Sequence, residues 1–373
     1  MPLRDDLEQY AHSIGIDSLR VAGSYPFAKE EALLVQMAAS GEYPRLAPQD
    51  IPMRCHPRQI LPNAHSIISV AVSYLLPDQP THEVEGPHGS IARFARVGDY
   101  HTILAGKLTQ LAAHLQEKAG RPIRYRVCVD SGPLVERAVA RRAGAGWFGK
   151  NSMLFVPRLG SWVVLGEIIT DLALPADEPV SQEPCGDCQR CQLACPTGAL
   201  ARPYRVDASR CLSAITQTPG YIPWQFRKLL GRRVWGCDTC QAVCPWNIRA
   251  VPGRLSWPPG AEAEVDLIRL LTLSKAQFGR LFGNTAIAWR GRTTLQRNAA
   301  LALGNLRDPY GVDALASQLD HPSPVVRETC AWALGEINDS RARRALERAR
   351  QCERAPEVLE TILRVMGRGS TAE

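Results

Sequence analysis

No stretch of this 373-residue chain is apolar for long enough to cross a bilayer. The longest, Ile67 to Leu76, falls well short of the roughly 20 residues a spanning helix needs. It is rich in β-branched residues and reads as a buried strand. The opening segment, MPLRDDLEQYAHSIG, lacks the apolar core of a signal peptide; it reads as an amphipathic helix with acids in its first turn. A complete P-loop is missing too. Gly144, Gly149 and Lys150 fit G-x4-G-K, but Asn151 stands where the magnesium-binding Ser or Thr belongs, and a helix-like segment leads in where a strand should. These absences set aside membrane insertion, export and P-loop nucleotide chemistry, and they predict a protein of the reducing cytoplasm with no membrane partner.

Eight of the twelve cysteines lie between residues 185 and 244. Cys185, Cys188, Cys191 and Cys195 form C-x2-C-x2-C-x3-C-P, closed by Pro196, and Cys237, Cys240 and Cys244 repeat its last part, closed by Pro245. This is ferredoxin spacing, in which three thiolates surround one corner of a [4Fe–4S] cube and the fourth reaches the neighbouring cube. The second run lacks its leading cysteine, and Cys211 is the replacement. The spacing therefore predicts one cluster on Cys185, Cys188, Cys191 and Cys244, and another on Cys195, Cys211, Cys237 and Cys240. Paired four-cysteine zinc knots are the alternative, but zinc does not explain two C-x3-C-P endings. A chain of this length builds ordinary cores and needs no disulfide staples. Cys55, Cys128, Cys330 and Cys352 have no ligand spacing and read as packing residues.

With 45% hydrophobic and 22% charged residues, the chain reads as two or three globular domains. Residues 1–180 alternate strand-like runs (Ile67–Tyr74, Ile123–Val129, Trp162–Ile169) with helix-like ones (Tyr100–Lys118, Leu134–Ala143), which predicts an α/β domain. The Pro- and Gly-rich stretch between Leu76 and Ser90 reads as an exposed loop within it. Residues 181–250 hold the cluster module, and 251–373 hold a breaker-rich linker and a helical domain. There Ala302-Leu-Gly-Asn-Leu-Arg-Asp308 recurs as Ala333-Leu-Gly-Glu-Ile-Asn-Asp339, with a helix Gly311–Leu319 between them, the pattern of a HEAT-type repeat. From Lys275 onward there are fifteen Lys or Arg against eleven Asp or Glu. The net charge of +7 suits a polyanionic partner without requiring one, and arginine suits bidentate contact with phosphate.

Three segments of the first domain are candidates for chemistry. Asp130, in Val129-Asp-Ser-Gly132, sits where a strand ends, the place where open α/β sheets bind ligands; on position alone, a helix cap by Asp130 or Ser131 explains it better. Gly144, Gly146 and Gly149 would let backbone approach a flat cofactor, or form a helix end and turn. Arg93, Arg96, Asp99, Tyr100 and His101 lie together, with His101 plausible as a structural histidine at a helix start.

Taken in order, these segments resemble the epoxyqueuosine reductase family, whose members reduce epoxyqueuosine in tRNA with cobalamin. The resemblance rests on Arg54-x-x-Pro57, Gly98-Asp-Tyr-His101, Val129-Asp-Ser-Gly132, Arg142-Ala-Gly-x-Gly146 and Gly149-Lys-Asn151. It continues through Leu165-Gly-Glu167, the eight cysteines, Tyr221-Ile-Pro223, Trp289-Arg-Gly291 and the repeat. It implies a nitroreductase-like α/β cobalamin-binding domain, then a ferredoxin-like two-cluster module, then an all-α HEAT-like domain. It implies cobalamin contacts at Arg54, Arg93, Asp130, Leu154, Leu165, Ser213 and Asp238, the leucines through their backbone. Ala92 stands where some relatives carry a cysteine near the corrin. Asp130 becomes the proton donor, kept protonated by burial against corrin and substrate. The implied partners are a tRNA anticodon stem-loop carrying epoxyqueuosine and an external low-potential electron donor, the protein itself being a monomer. A reductive dehalogenase-like enzyme and an electron-transfer adaptor with a docking helical domain are the rival readings.

Overall fold

The computed structural model describes residues 3–77, 85–181 and 184–367. The chain forms two compact units that do not follow chain order. The first comprises Met1–Gln79, Val97–Cys211 and Asp238–Pro259, and the second Pro80–Arg96, Leu212–Cys237 and Gly260–Glu373. The stretch between Leu76 and Ser90, expected to be a loop within one domain, is thus where the chain first passes from one unit to the other; its residues 78–84 lie outside the described residues.

In the first unit four strands lie in the order Ser18–Gly23, Ser66–Ser73, Val163–Thr170 and Tyr125–Cys128. Every pairing is antiparallel. This corrects the placement of Asp130 by the rule for parallel sheets: alternating helices and strands in sequence do not fix strand direction. All eight residues of Ser66–Ser73 are buried, as its apolar run predicts for a central strand. The helix Tyr100–Ala119 starts on the Asp99 side chain, which accepts from the His101 N–H at 3.1 Å, and ends on left-handed Gly120. It buries Tyr100, Leu104, Leu108, Leu111, Ala112 and Leu115, one face at helical spacing. Gly166 lets this helix sit close, since a Cβ there would stand 2.8 Å from Leu108 Cδ1. The linker is tied down: Trp257 Nε1 donates to the Ser73 carbonyl at 2.7 Å, and the Arg254 N–H to Asp17 at 2.7 Å.

The second unit holds a small sheet in the order Arg233–Trp235, His88–Ile91, Glu264–Asp266, and the repeat helices. Gly291–Leu306 packs on Pro324–Ile337, which packs in turn on Pro356–Gly367. The helix expected over Gly311–Leu319 is Val312–Ser317 flanked by two 3-10 turns. The repeated sequence has a physical cause at each position. The glycines admit the next helix: a Cβ on Gly304 would meet Ala333 Cα at 2.8 Å, and one on Gly335 would meet Val365 Cβ at 2.4 Å. Arg307 and Asn338 end their helices in the left-handed conformation. Asp308 and Asp339 then cap the following turn, accepting from the Tyr310 and Ala342 N–H groups. Arg297, fully buried, donates to the carbonyls of Thr216, Thr218 and Gly220 and so fixes the loop after the helix Leu212–Gln217. Burial and the neighbouring Arg227 charge push its pKa down to about 9.

The same substitution should act with opposite sign at two helical glycines. Gly335→Ala forces apart two packed helices and should lower the melting temperature, by the ~1–3 kcal/mol typical of overpacking. Gly279→Ala, exposed with nothing within 4 Å of the new methyl, should raise stability by roughly 0.5–1 kcal/mol. Calorimetry on both variants checks this.

Candidate functional site

In the first unit Cys185, Cys188, Cys191 and Cys244 line one cavity of about 240 Å³, shared with Lys150, Arg190, Pro245, Trp246 and Arg249. Burial and the nearby Cys185 and Cys244 sulfurs push the Cys191 thiol up, and Cys244 shifts the same way for the same kind of reason. The last cysteine of the second run thus comes back to the first run. Among the described residues no group of three or more His, Cys, Asp or Glu is arranged to hold a metal ion. A single zinc would draw four sulfurs to about 2.3 Å from one point, whereas four thiols around a cavity suit a cube that carries each sulfur on its own corner iron. The donor set and the space fit a [4Fe–4S] cluster. Of the other four cysteines, Cys195, Cys211 and Cys240 belong to the first unit and Cys237 to the second.

A buried polar knot positions the cysteine loops. Asn247 Oδ1 accepts from the Ser161 N–H at 2.7 Å, and its Nδ2 donates to Ser161 Oγ and to the Gln241 carbonyl, each at 2.9 Å. Ser161 Oγ donates to Gln241 Oε1 at 2.9 Å. Gly160, in the left-handed region, leaves room for this: a Cβ there would stand 2.3 Å from Asn247 Oδ1. Lys150 Nζ donates to the Gly186 carbonyl at 2.6 Å, and Asn151 Nδ2 reaches the Cys240 carbonyl at 3.4 Å. Of the three glycines expected at a cofactor surface, Gly149 lines the cluster cavity, while those at 144 and 146 make room for the chain itself. A Cβ on Gly146 would lie 1.9 Å from the Phe155 carbonyl oxygen, and one on Gly144 2.2 Å from that of Glu178.

Asp130 does not cap a helix. The helix behind it runs Glu136–Arg142 and begins at Val135, whose side chain offers no acceptor, while the Leu134 and Val135 N–H groups bond to the Gly132 and Arg54 carbonyls. Asp130 instead stands in a left-handed backbone, φ 48°, with its carboxylate side chain 58% exposed. Strain of this kind at a non-glycine residue is tolerated where surrounding contacts hold it. Tyr100 Oη donates to Asp130 Oδ2 at 2.8 Å, and His101 Nε2 lies 3.1 Å from the same oxygen. His101 Nδ1 contacts Asp99 Oδ1 at 2.7 Å.

Burial acts to raise the Asp130 carboxyl, but the hydrogen bonds from His101 and Tyr100, and the charges of His101 and Arg137, outweigh it and hold the group below its ordinary range. Burial likewise opposes protonation of His101, yet its bonds to Asp130 and Asp99 lift it above the usual 6.5. Both shifts favour the proton on His101 over Asp130. Behind Asp130, burial and neighbouring acid charge push Glu136 and Glu167 well up, while the Asp130 N–H bonds to the Glu136 carboxyl.

The other expected contacts fall in both units. Arg54 donates to Tyr43 Oη at 2.6 Å and keeps a buried Nε with no protein partner. Leu154 and Leu165 are buried. Arg54, Leu154, Leu165 and Asp238 belong to the first unit, Arg93 and Ser213 to the second.

Three family models match along the chain: epoxyqueuosine reductase QueG, DUF1730, over residues 54–131; a 4Fe-4S double cluster binding domain over 184–247; and HEAT repeats over 290–367. The epoxyqueuosine reductase of Bacillus cereus is 37% identical over 370 residues, 97% of this chain and 96% of that protein. The chain belongs to the epoxyqueuosine reductase family. A solved epoxyqueuosine reductase with a tRNA-Tyr epoxyqueuosine-modified stem loop is 36% identical with a TM-score of 0.93, covering 98% of both chains. The Bacillus subtilis enzyme, solved with its aspartate-bearing catalytic loop swung out of the active site, gives 36% and 0.92, again over 98% of both chains.

Sequence reasoning missed Ser161, Gln241 and Asn247, and it missed the partners of Asp130. The only trace of the knot was polar residues spaced through short cysteine-bearing helices. Asn247→Ala would leave the Ser161 N–H buried without an acceptor, at a cost of about 1–3 kcal/mol. It should lower the melting temperature and weaken cluster retention during anaerobic gel filtration, followed by iron analysis.

Proposed function

We propose that this oxidoreductase converts epoxyqueuosine to queuosine at the wobble position of tRNA, using cobalamin fed through two [4Fe–4S] clusters. The observation that carries the reading is the cavity enclosed by the four thiols of two separate cysteine runs, in a chain aligned end to end with family members. We keep the functional partition 1–180, 181–250 and 251–373: a nitroreductase-like cobalamin domain, the cluster module, and the HEAT-like domain that meets RNA phosphates. Work in a reducing cytoplasm suits its free thiols.

Cys185, Cys188, Cys191 and Cys244 hold one cluster; Cys195, Cys211, Cys237 and Cys240 hold the other. The orphan Nε of Arg54 and the exposed Asp130 carboxylate are polar groups with capacity for a bound ligand. With Leu154, Leu165 and Asp238 they would hold cobalamin; Arg93 and Ser213 rest on the resemblance alone. When bound, cobalamin supplies reducing equivalents at the epoxide. Opening the epoxide to an alkene consumes two electrons and two protons and releases water. The oxygen leaves well only if protonated, and Asp130 is the donor. Its own proton must first arrive, and His101, in contact with it and held by Asp99, delivers it. Tyr100 fixes the accepting oxygen. General-acid help of this kind contributes ~10²–10⁴ in rate.

Asp130→Asn should retain iron and cobalamin while queuosine formation falls by ~10²–10⁴; near-normal turnover would return Asp130 to a structural role. Because the pKa of His101 is raised, its proton is present at low pH and lost only as pH rises through a value above 6.5. Turnover should decline there, and His101→Gln should remove that limb of the profile. Cys244→Ala should reduce iron from about eight to about four per chain and abolish the signal of the cluster on Cys185, Cys188 and Cys191, as read by iron analysis and electron paramagnetic resonance.

A further inference from the structure

The two short helices that wall the cluster cavity, Arg190–Ala194 and Pro245–Ile248, also carry apolar side chains that stand exposed among the described residues. Leu193, two residues beyond Cys191, is 81% exposed; Ile248, four beyond Cys244, is 69% exposed; and Trp246, in the cavity wall, is 41% exposed. Large aliphatic groups at such exposure, on the same short helices as the cavity's lining residues, mark an interaction surface. Lys150, Arg190 and Arg249 line the same cavity, and no acid does. Asp187, exposed beside Cys188, is the one acid in the adjoining loop 184–189.

We infer that this face docks the reduced electron carrier, a small acidic one-electron protein of the ferredoxin or flavodoxin class. The inference rests on the cluster assigned to this cavity. Electron-transfer complexes are small and short-lived, so a few exposed aliphatic contacts at the redox group suffice, while complementary charge raises the encounter rate. The cations select an acidic carrier. The aliphatic groups favour protein over RNA, whose unpaired bases stack on aromatic faces, and only Trp246 offers one here. Each encounter oxidises the carrier by one electron and reduces the cluster by one, so two encounters supply the two electrons for one epoxide.

The test is anaerobic stopped-flow reduction of the iron–sulfur absorbance in the full holo-protein. Sodium dithionite and a photoreduced acidic ferredoxin serve as alternative reductants, on wild type and on the double variant Leu193→Asp, Ile248→Asp. The variant should keep the wild-type spectrum and dithionite rate, while its second-order rate with ferredoxin falls about tenfold. The wild-type ferredoxin rate should fall with added salt. An unchanged ferredoxin rate in the variant, or equal losses with both reductants, overturns the docking assignment. So does a selective loss of affinity for an anticodon stem-loop, which would assign the face to RNA. Wild-type protein that binds no iron would instead overturn the cluster assignment beneath it.

Discussion

The contact on which the first unit most depends is a set of buried hydrogen bonds among three neutral side chains, Ser161, Gln241 and Asn247. A short cysteine-bearing segment has little apolar surface with which to anchor itself. Its helices Thr239–Ala242 and Pro245–Ile248 are each four residues long, too short for stability of their own. Gln241 and Asn247 are the buried residues of those helices, and they reach the turn that leads into Val163–Thr170. Buried polar networks are costly when half satisfied and highly specific when complete. Here the network sets the direction of Cys240 and Cys244 relative to the sheet, and with it the shape of the cavity.

The acidic side of the sheet applies the opposite physics. Glu136 and Glu167 lack enough donors, so burial keeps them neutral. Asp130 has two donors and is kept charged. Neighbouring carboxyls thus differ in proton occupancy through depth and hydrogen bonding together, a division of labour typical of sites that move protons. Holding Asp130 through contacts to its side chain and its backbone N–H also explains how a strained φ persists in an exposed loop.

What was legible in the sequence was what short-range pattern encodes. Cysteine spacing is local chemistry, and the Ala-Leu-Gly repeat is legible because one missing methyl at Gly304 and Gly335 decides how near the next helix lies. Strand positions followed from β-branched runs. Strand direction did not, since hydrophobic alternation is the same for parallel and antiparallel pairs. The partners of Asp130 were not legible because Tyr100 and His101 lie some 30 residues away in sequence. The glycines at 144 and 146 looked like a cofactor cradle, and only the carbonyls of Glu178 and Phe155 show what they avoid.

The interleaving of the two units bears on how the protein is made. On the ribosome most domains finish in order from the N-terminus. Here the first unit waits for residues 238–259 to emerge, although its sheet is complete by Thr170, and residues 80–96 wait for partners synthesised more than a hundred residues later. Half-made chains therefore hold reactive thiols before their cavity can close. Neither unit is one contiguous stretch of gene, so recombination cannot trade either for a homologous part with a single crossover.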